Sequence, residues 1–211
     1  MRQIHDMVAK RFKQHTLPSR MLLSKVKTKQ RELFLTFDDG PVEPVTPAVL
    51  ALLESYDAHA TFFVQGNKST HLPAIISEIA MRGHTVGNHS YDHPRFDDVS
   101  HAERCRQVGS TNRIINELTG TRCQYYRAPR GQWDLRMLLF LLRTGMQAVH
   151  WTRDSEDYRK PPSADIIQSF TANPVTSGDI ILFHDDNDLC IEVLSVLIPT
   201  WLRNGFKLSR L

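Results

Sequence analysis

Cysteine is scarce here and unpatterned: Cys105, Cys123 and Cys190 are the only three in 211 residues, and no CxxC pair occurs. Three scattered thiols exclude a disulfide framework and fit a reducing cytoplasm. No apolar run approaches the length that crosses a bilayer. Residues 1–31 also lack the apolar core of a signal peptide, so none is expected. Linkers, low-complexity stretches and close repeats are missing too, which leaves one large domain or two small ones. The hydrophobic and charged fractions, 41% and 23%, are those of an ordinary globular protein with a sizeable core.

Charge is present but uneven. The total is +3, yet residues 1–31 hold nine Lys or Arg against Asp6 alone, a net of +8 that leaves −5 on the other 180 residues. A basic arm on a mildly acidic body points to a surface partner for the arm. Met7, Val8, Phe12 and Met21-Leu22-Leu23 lie among its cations as in a weak interfacial segment, not a nucleic-acid tail. The arm, 1–31, is therefore expected to make salt-sensitive peripheral contact with an anionic inner membrane face. No nucleic acid partner is expected, and the alternative for the arm is a solvated leader. Composition says nothing of oligomeric state.

From Leu33 onward apolar strand patterns alternate with helical ones. Strands are read at 33–36, 60–64, 84–88, 125–128, 147–151, 180–183 and 206–208. Helices are read at 45–56, 72–81, 100–118, 135–144, 165–170 and 191–203, several closed by Gly83, Gly120, Gly145 or Gly205. Such alternation predicts an α/β fold with a parallel sheet, open or closed, whose ligands sit at the C-terminal strand ends.

Those ends carry unusual chemistry. The strand 33–36 runs into Asp38-Asp39 and stops at Gly40-Pro41. Side chains alternate along a strand, so adjacent aspartates face different environments: one suits a metal, the other a reacting water. The strand at 84–88 delivers His89 and His93, four residues apart, as for two ligands of one metal. One Asp and two His leave an open position, as catalytic zinc requires. Arg127 follows the next strand and suits the orientation of a carboxylate. An acidic turn runs from Asp154 to Tyr158, and the buried strand 180–183 delivers His184, a candidate general acid.

In this order, the residues resemble the polysaccharide deacetylase family (carbohydrate esterase family 4, the NodB homology domain). Its five motifs are matched by residues 36–41, 89–93, 127–129, 154–158 and 182–184, and the resemblance spans residues 33 to about 208. Within the family, residues 148–161 are most similar to the rhizobial chitooligosaccharide deacetylases. The resemblance implies a distorted (β/α) barrel of about seven parallel strands over 32–211. It also implies a cytoplasmic enzyme that hydrolyses the acetamide of an N-acetylated glycan. By the same resemblance Asp39, His89 and His93 hold a divalent metal, zinc with cobalt or nickel as alternatives. Asp38 is the general base, held by Arg127, and His184 is the general acid, oriented by Asp157. The backbone N–H of Arg130 binds the oxyanion, and Leu182 lines the acetyl pocket. Two positions depart from the family pattern: Arg130 stands where Tyr is usual and Tyr158 where Trp is usual, so both bear on substrate identity. Two other readings stay open: a deacetylase of a lipid-linked or small amino-sugar intermediate, and a catalytically silent glycan-binding domain.

Overall fold

The strand β1, Glu32–Asp38, explains the architecture. Leu33, Leu35 and Phe37 face the main core under the helices, while Phe34 faces a second cluster inside the sheet's curl. Thr36 and Asp38 follow Phe34 at alternate positions and share its face. The computed structural model describes residues 17–211; the part of the basic arm that holds Met7, Val8 and Phe12 lies outside them.

In chain order the elements are β1, α1 (Val45–Ser55), β2 (Thr61–Val64), α2 (Gly66–His71), α3 (Pro73–Met81), β3 (Thr85–Asn88), α4 (His101–Thr119) and β4 (Tyr125–Tyr126). Then come α5 (Leu135–Arg143), β5 (Gln147–Ala148), β6 (Arg153–Asp154), α6 (Ser163–Ala172), β7 (Ile180–His184), α7 (Leu189–Arg203) and β8 (Lys207–Ser209). Every pairing is parallel, in the order β5-β4-β3-β2-β1-β7-β6, and β8 joins the first half of β1. Among the described residues, the seven parallel strands of this path, with β8 beside β1, form a curled half-barrel flanked by helices; the alternation implies the parallel α/β sheet, and the motif resemblance implies its curl.

Although β5 and β6 end the path on opposite sides, only residues 149–152 separate them in the chain, so the backbone crosses the gap. A strap from before β1 closes this seam. Leu23 donates its N–H to the Ala148 carbonyl (2.8 Å) and accepts from His150 N (2.8 Å), and Val26 N donates to Gly178 O (2.9 Å). Lys25 Nζ pairs with the buried Asp179 carboxylate at 2.9 Å. Leu23 and Val26 pack on Phe34, Phe63, Val149 and Ile180, the plug of the barrel interior. The later part of the basic stretch, from residue 17, is in this way built into the body.

Several elements differ from their sequence reading. The helix expected over 72–81 is preceded by a separate one, α2, because Pro73 opens α3 at its first turn. The strand expected over 147–151 ends at Ala148: the chain then bridges the seam, and a further short strand not read from the sequence, β6, pairs with β7. The strand expected over 125–128 pairs only at Tyr125–Tyr126.

Candidate active site

β1 brings Asp38 and Asp39 to one end of the barrel but turns them apart. Asp38 is buried at the strand end, whereas Asp39 leaves the strand with φ 74 and stays partly open. Of the non-glycine residues with positive φ among the described residues, Asp39, Ser90, His93, Arg130 and Glu156 lie in the loops of this site, and Asp57 and Lys160 lie elsewhere, so most of the strained backbone is near the site. Each loop is pinned. Thr46 Oγ1 receives the Val42 N–H (2.9 Å) and donates to the buried Asp185 carboxylate (2.6 Å), which fixes the turn after Asp39. Asn88 Oδ1 accepts from Ser90 N (2.8 Å), and Gln107 Oε1 accepts from Ser90 Oγ (2.7 Å), which fixes the His89–His93 loop.

Asp39, His89 and His93 converge so that one ligand atom from each lies within 4.8 Å of the others. His93 Nε2 is 3.5 Å and His89 Nε2 3.6 Å from Asp39 Oδ1. The buried His89 ring contacts the Arg127 carbonyl through Nδ1 at 2.9 Å, which makes Nδ1 the protonated nitrogen and leaves the Nε2 lone pair facing the carboxylates. Burial pushes the Asp39 carboxyl up, but the imidazoles of His89, His93 and His184 and the Gln65 amide (2.7 Å) outweigh it. The net direction is down. Burial, with the charge of His89 and Arg130, holds His93 below its ordinary value. An ionised carboxylate and two imidazoles with free lone pairs fit a divalent cation of intermediate softness.

Asp38 lies beside this triad and is held differently. Arg127, fully buried, donates through Nη1 to Asp38 Oδ1 (2.7 Å) and to Thr36 Oγ1 (2.8 Å). The guanidinium lies over the Phe63 ring at 4.2 Å, which satisfies a face that no water reaches. Oδ2 of Asp38 remains 3.6 Å from His89 Nε2. His184 sits across from Asp38 in the β1–β7 register. Its Nδ1 contacts Asp157 Oδ1 at 2.7 Å, and its backbone N–H donates to Asp157 Oδ2 at 2.8 Å. Burial alone would lower the His184 pKa, but the Asp157 hydrogen bond and the charges of Asp157, Asp38 and Asp39 raise it to about 9. The imidazolium is therefore the form present at neutral pH.

Among the remaining expected residues, Leu182 is buried in β7 and Tyr158 stands at the rim, its ring edge-on to His184 at 5.5 Å. Arg130 occupies a turn with φ 57, its side chain exposed. The structure thus gathers all ten expected site residues at one end of the barrel. Sequence reasoning missed Gln65 on Asp39, Lys68 (Nζ to Asp39 O, 2.7 Å), Thr36 on Arg127, and the Thr46–Asp185 pair. Gln65 directly follows β2, so its strand-end position was a usable signal.

Comparison with known proteins agrees with this geometry. Residues 25–149 match the family model described as polysaccharide deacetylase. The chain is 33% identical over 163 residues to a chitooligosaccharide deacetylase of Azorhizobium caulinodans, covering 77% of each. Among solved structures, the Bc1960 peptidoglycan N-acetylglucosamine deacetylase superposes with a TM-score of 0.86 at 28% identity, over 91% of both chains. A mutant of BA3943, a pseudoenzyme of carbohydrate esterase family 4 with restored activity, superposes with a TM-score of 0.84 at 25% identity, over 93% of this chain and 71% of that one. A match covering more than half the chain makes this protein a member of the polysaccharide deacetylase family.

Proposed function

We propose that the protein is a metal-dependent N-deacetylase that hydrolyses the acetamide of an N-acetylated amino sugar, in a chitooligosaccharide or related glycan, releasing acetate. The relatives support this reaction class: one is a chitooligosaccharide deacetylase and another acts on peptidoglycan N-acetylglucosamine. The observation that carries it here is a carboxylate and an imidazole, each held by its own partner, beside one ligand triad. Arg127 holds Asp38 at 2.7 Å, and Asp157 holds His184 at 2.7 Å and raises its pKa.

Asp39, His89 and His93 would hold the cation, zinc by their chemistry, with cobalt or nickel as alternatives. Bound there, a dication supplies Lewis acidity that polarises the amide carbonyl and acidifies water. Asp38, oriented by Arg127 and Thr36, takes the proton of the attacking water through Oδ2, the oxygen Arg127 leaves free. The backbone N–H of Arg130 is offered to the developing oxyanion. His184 gives its proton to the departing amine nitrogen, a poor leaving group until protonated. Asp157 holds the imidazole in place beforehand through its contact with Nδ1. Leu182 packs the acetyl methyl and excludes water from that side.

Mass spectrometry of acetylated glycans incubated with zinc-loaded protein should show losses of about 42 Da, one acetyl for one hydrogen per turnover. Asp38→Asn should abolish the loss. Tight glycan binding with no loss on any acetylated sugar would instead make this a silent binding domain, as a family that includes a pseudoenzyme requires one to test.

A further inference from the structure

The two loops that carry the residues proposed to hold the cation are joined by one short stretch of chain. Gln65, the residue after β2, is buried, and its Nε2 donates to Asp39 Oδ1 at 2.7 Å. An ionised carboxylate only accepts, so the amide must present its nitrogen there. The same Oδ1 lies 3.6 Å from His89 Nε2 and 3.5 Å from His93 Nε2. One oxygen is thus shared between the amide and the space the imidazoles face. The Gln65 backbone is fixed as well: its N–H donates to Gly40 O (3.0 Å), and its carbonyl accepts from Ser69 N (2.9 Å) and Ser69 Oγ (2.8 Å). Lys68 Nζ donates to the Asp39 carbonyl at 2.7 Å. On the other side Gly66 N donates to Ser90 O (3.0 Å) and Asn67 N to Tyr91 O (2.9 Å), inside the loop from His89 to His93. Four consecutive residues, 65–68, therefore hold the carboxylate on one loop against the imidazoles on the other.

We infer, resting on the metal site proposed above, that Gln65 is a positioning residue that decides which cation the site prefers. A carboxylate oxygen has two lone-pair directions; with the Gln65 N–H on one, Oδ1 keeps one for a cation. Turning both oxygens of Asp39 toward the cation would draw Oδ1 off the amide, so Gln65 favours ligation through a single oxygen. One carboxylate oxygen and two imidazoles, with a position left open, suit a four-coordinate ion such as zinc. Manganese prefers oxygen donors in a six-coordinate shell and gains from a carboxylate free to offer both oxygens. Loss of the N–H therefore changes relative affinities and not only absolute ones. The His89 ring is oriented separately, by the Arg127 carbonyl, so the carboxylate is the ligand whose approach Gln65 controls. Lys68 holds the backbone of Asp39 and leaves the rotation of its carboxylate to Gln65.

The test is isothermal titration of the full chain, freed of metal by chelation, with zinc and separately with manganese. The unaltered protein should bind zinc far more tightly than manganese. Gln65→Leu removes the donor and should weaken zinc about tenfold, the usual effect of losing a ligand's outer partner, while manganese changes by less than about threefold. The ratio between the two cations then narrows. Gln65→Glu keeps the shape of the side chain but offers oxygens in place of the N–H, so it should narrow the ratio as well. Lys68→Met is the control: the lost charge and the loosened backbone act on any dication, so zinc and manganese should shift alike. Each variant should keep a native circular dichroism spectrum. Equal changes for zinc and manganese in both Gln65 variants would make Gln65 a general support of the loop, and unchanged affinities would leave it no part in the site. Either result overturns the inference and leaves the metal site standing. Failure of the unaltered protein to take up either cation would overturn the metal site, and the inference with it.

Discussion

At the residue scale, adjacency in sequence conceals a division of labour. Asp38 and Asp39 are neighbours, but one answers to Arg127 inside the barrel and the other to two imidazoles at its mouth. Asp38→Asn should therefore retain bound metal by elemental analysis and lose turnover by roughly a hundredfold or more, the scale of general base catalysis. Asp39→Ala should lose metal; retention of metal by Asp39→Ala and its loss in Asp38→Asn would reverse the two roles. The His184 pKa of about 9 sets a second expectation. Activity needs the imidazolium, so the basic limb of the pH–rate profile should fall near pH 9, well above an ordinary histidine. For stability the sign is the same. A raised folded-state pKa contributes fully below about 6.5 and is lost as pH rises through about 9. Asp157→Asn should move the limb towards neutrality, and an unmoved limb would assign it to another group. Arg130, exposed at the mouth where the family usually has Tyr, suits a carboxylate or phosphate on the substrate. Arg130→Tyr should then lower kcat/KM on anionic glycans about tenfold while sparing neutral chitooligosaccharides. The residues proposed as acid, base and ligands were legible because each ends a strand or lies in the loop just after one, with a type that chemistry restricts. Thr36 was not, since a threonine inside a strand reads as a β-former until Arg127 is seen to meet it.

At the element scale, the loops are held from outside the site, and that support was the least legible part. Asp185 follows His184 in the sequence yet points away from the chemistry, into a buried contact with Thr46 beside Gly40. Burial, set against that hydrogen bond, pushes its carboxyl up to about 7. Thr46→Val keeps the volume but removes the oxygen that links Asp185 to the Val42 N–H, so the turn carrying Asp39 should loosen. Metal affinity should fall about tenfold, the usual effect of losing a ligand's outer support, with little change in circular dichroism. Isothermal titration with zinc measures it, and an unchanged affinity would show that the turn holds itself. The helix α2 escaped the sequence reading because Gly66, Asn67 and Ser69 are poor helix formers and the stretch has no apolar period. Tertiary contacts impose it: Gly66 N donates to Ser90 O (3.0 Å), and a Cβ at Gly66 would meet Thr111. The run 147–151 misled in the other direction, its apolar residues serving the seam and Arg127 instead of one continuous strand.

At the scale of the whole molecule, alternating patterns identified a parallel α/β sheet but could not distinguish a closed curl from an open one. The distinction lies in contacts between distant stretches, which no local period encodes. β1 lies inside the strand path between β2 and β7 and also pairs with β8, and its two faces serve two clusters. That position explains why the most informative run in the sequence is also the most enclosed. Gly178 shows how little tolerance the seam has: with φ 85 and the Val26 carbonyl against its α-carbon, any side chain would overlap that oxygen. Gly178→Ala should lower unfolding free energy by about 2 kcal/mol or more in urea titration, from the left-handed backbone and the displaced strap together. A change within about 0.5 kcal/mol would mean that the strap shifts freely.

The strap also has a consequence for the order of folding. Lys25 reaches Asp179 across 154 positions, so this contact closes a loop that includes most of the barrel. Such a pairing is costly to form early and belongs after the transition state. On the ribosome, residues 23–26 emerge long before Gly178 and Asp179 exist to receive them, so the strap cannot be fixed over Phe34 and Val149 from that side until then. Lys25→Met should accordingly speed unfolding in stopped-flow measurements while leaving the refolding rate nearly unchanged. The strap then works as a latch on the finished barrel: it governs how long the native state persists, not how quickly it is reached.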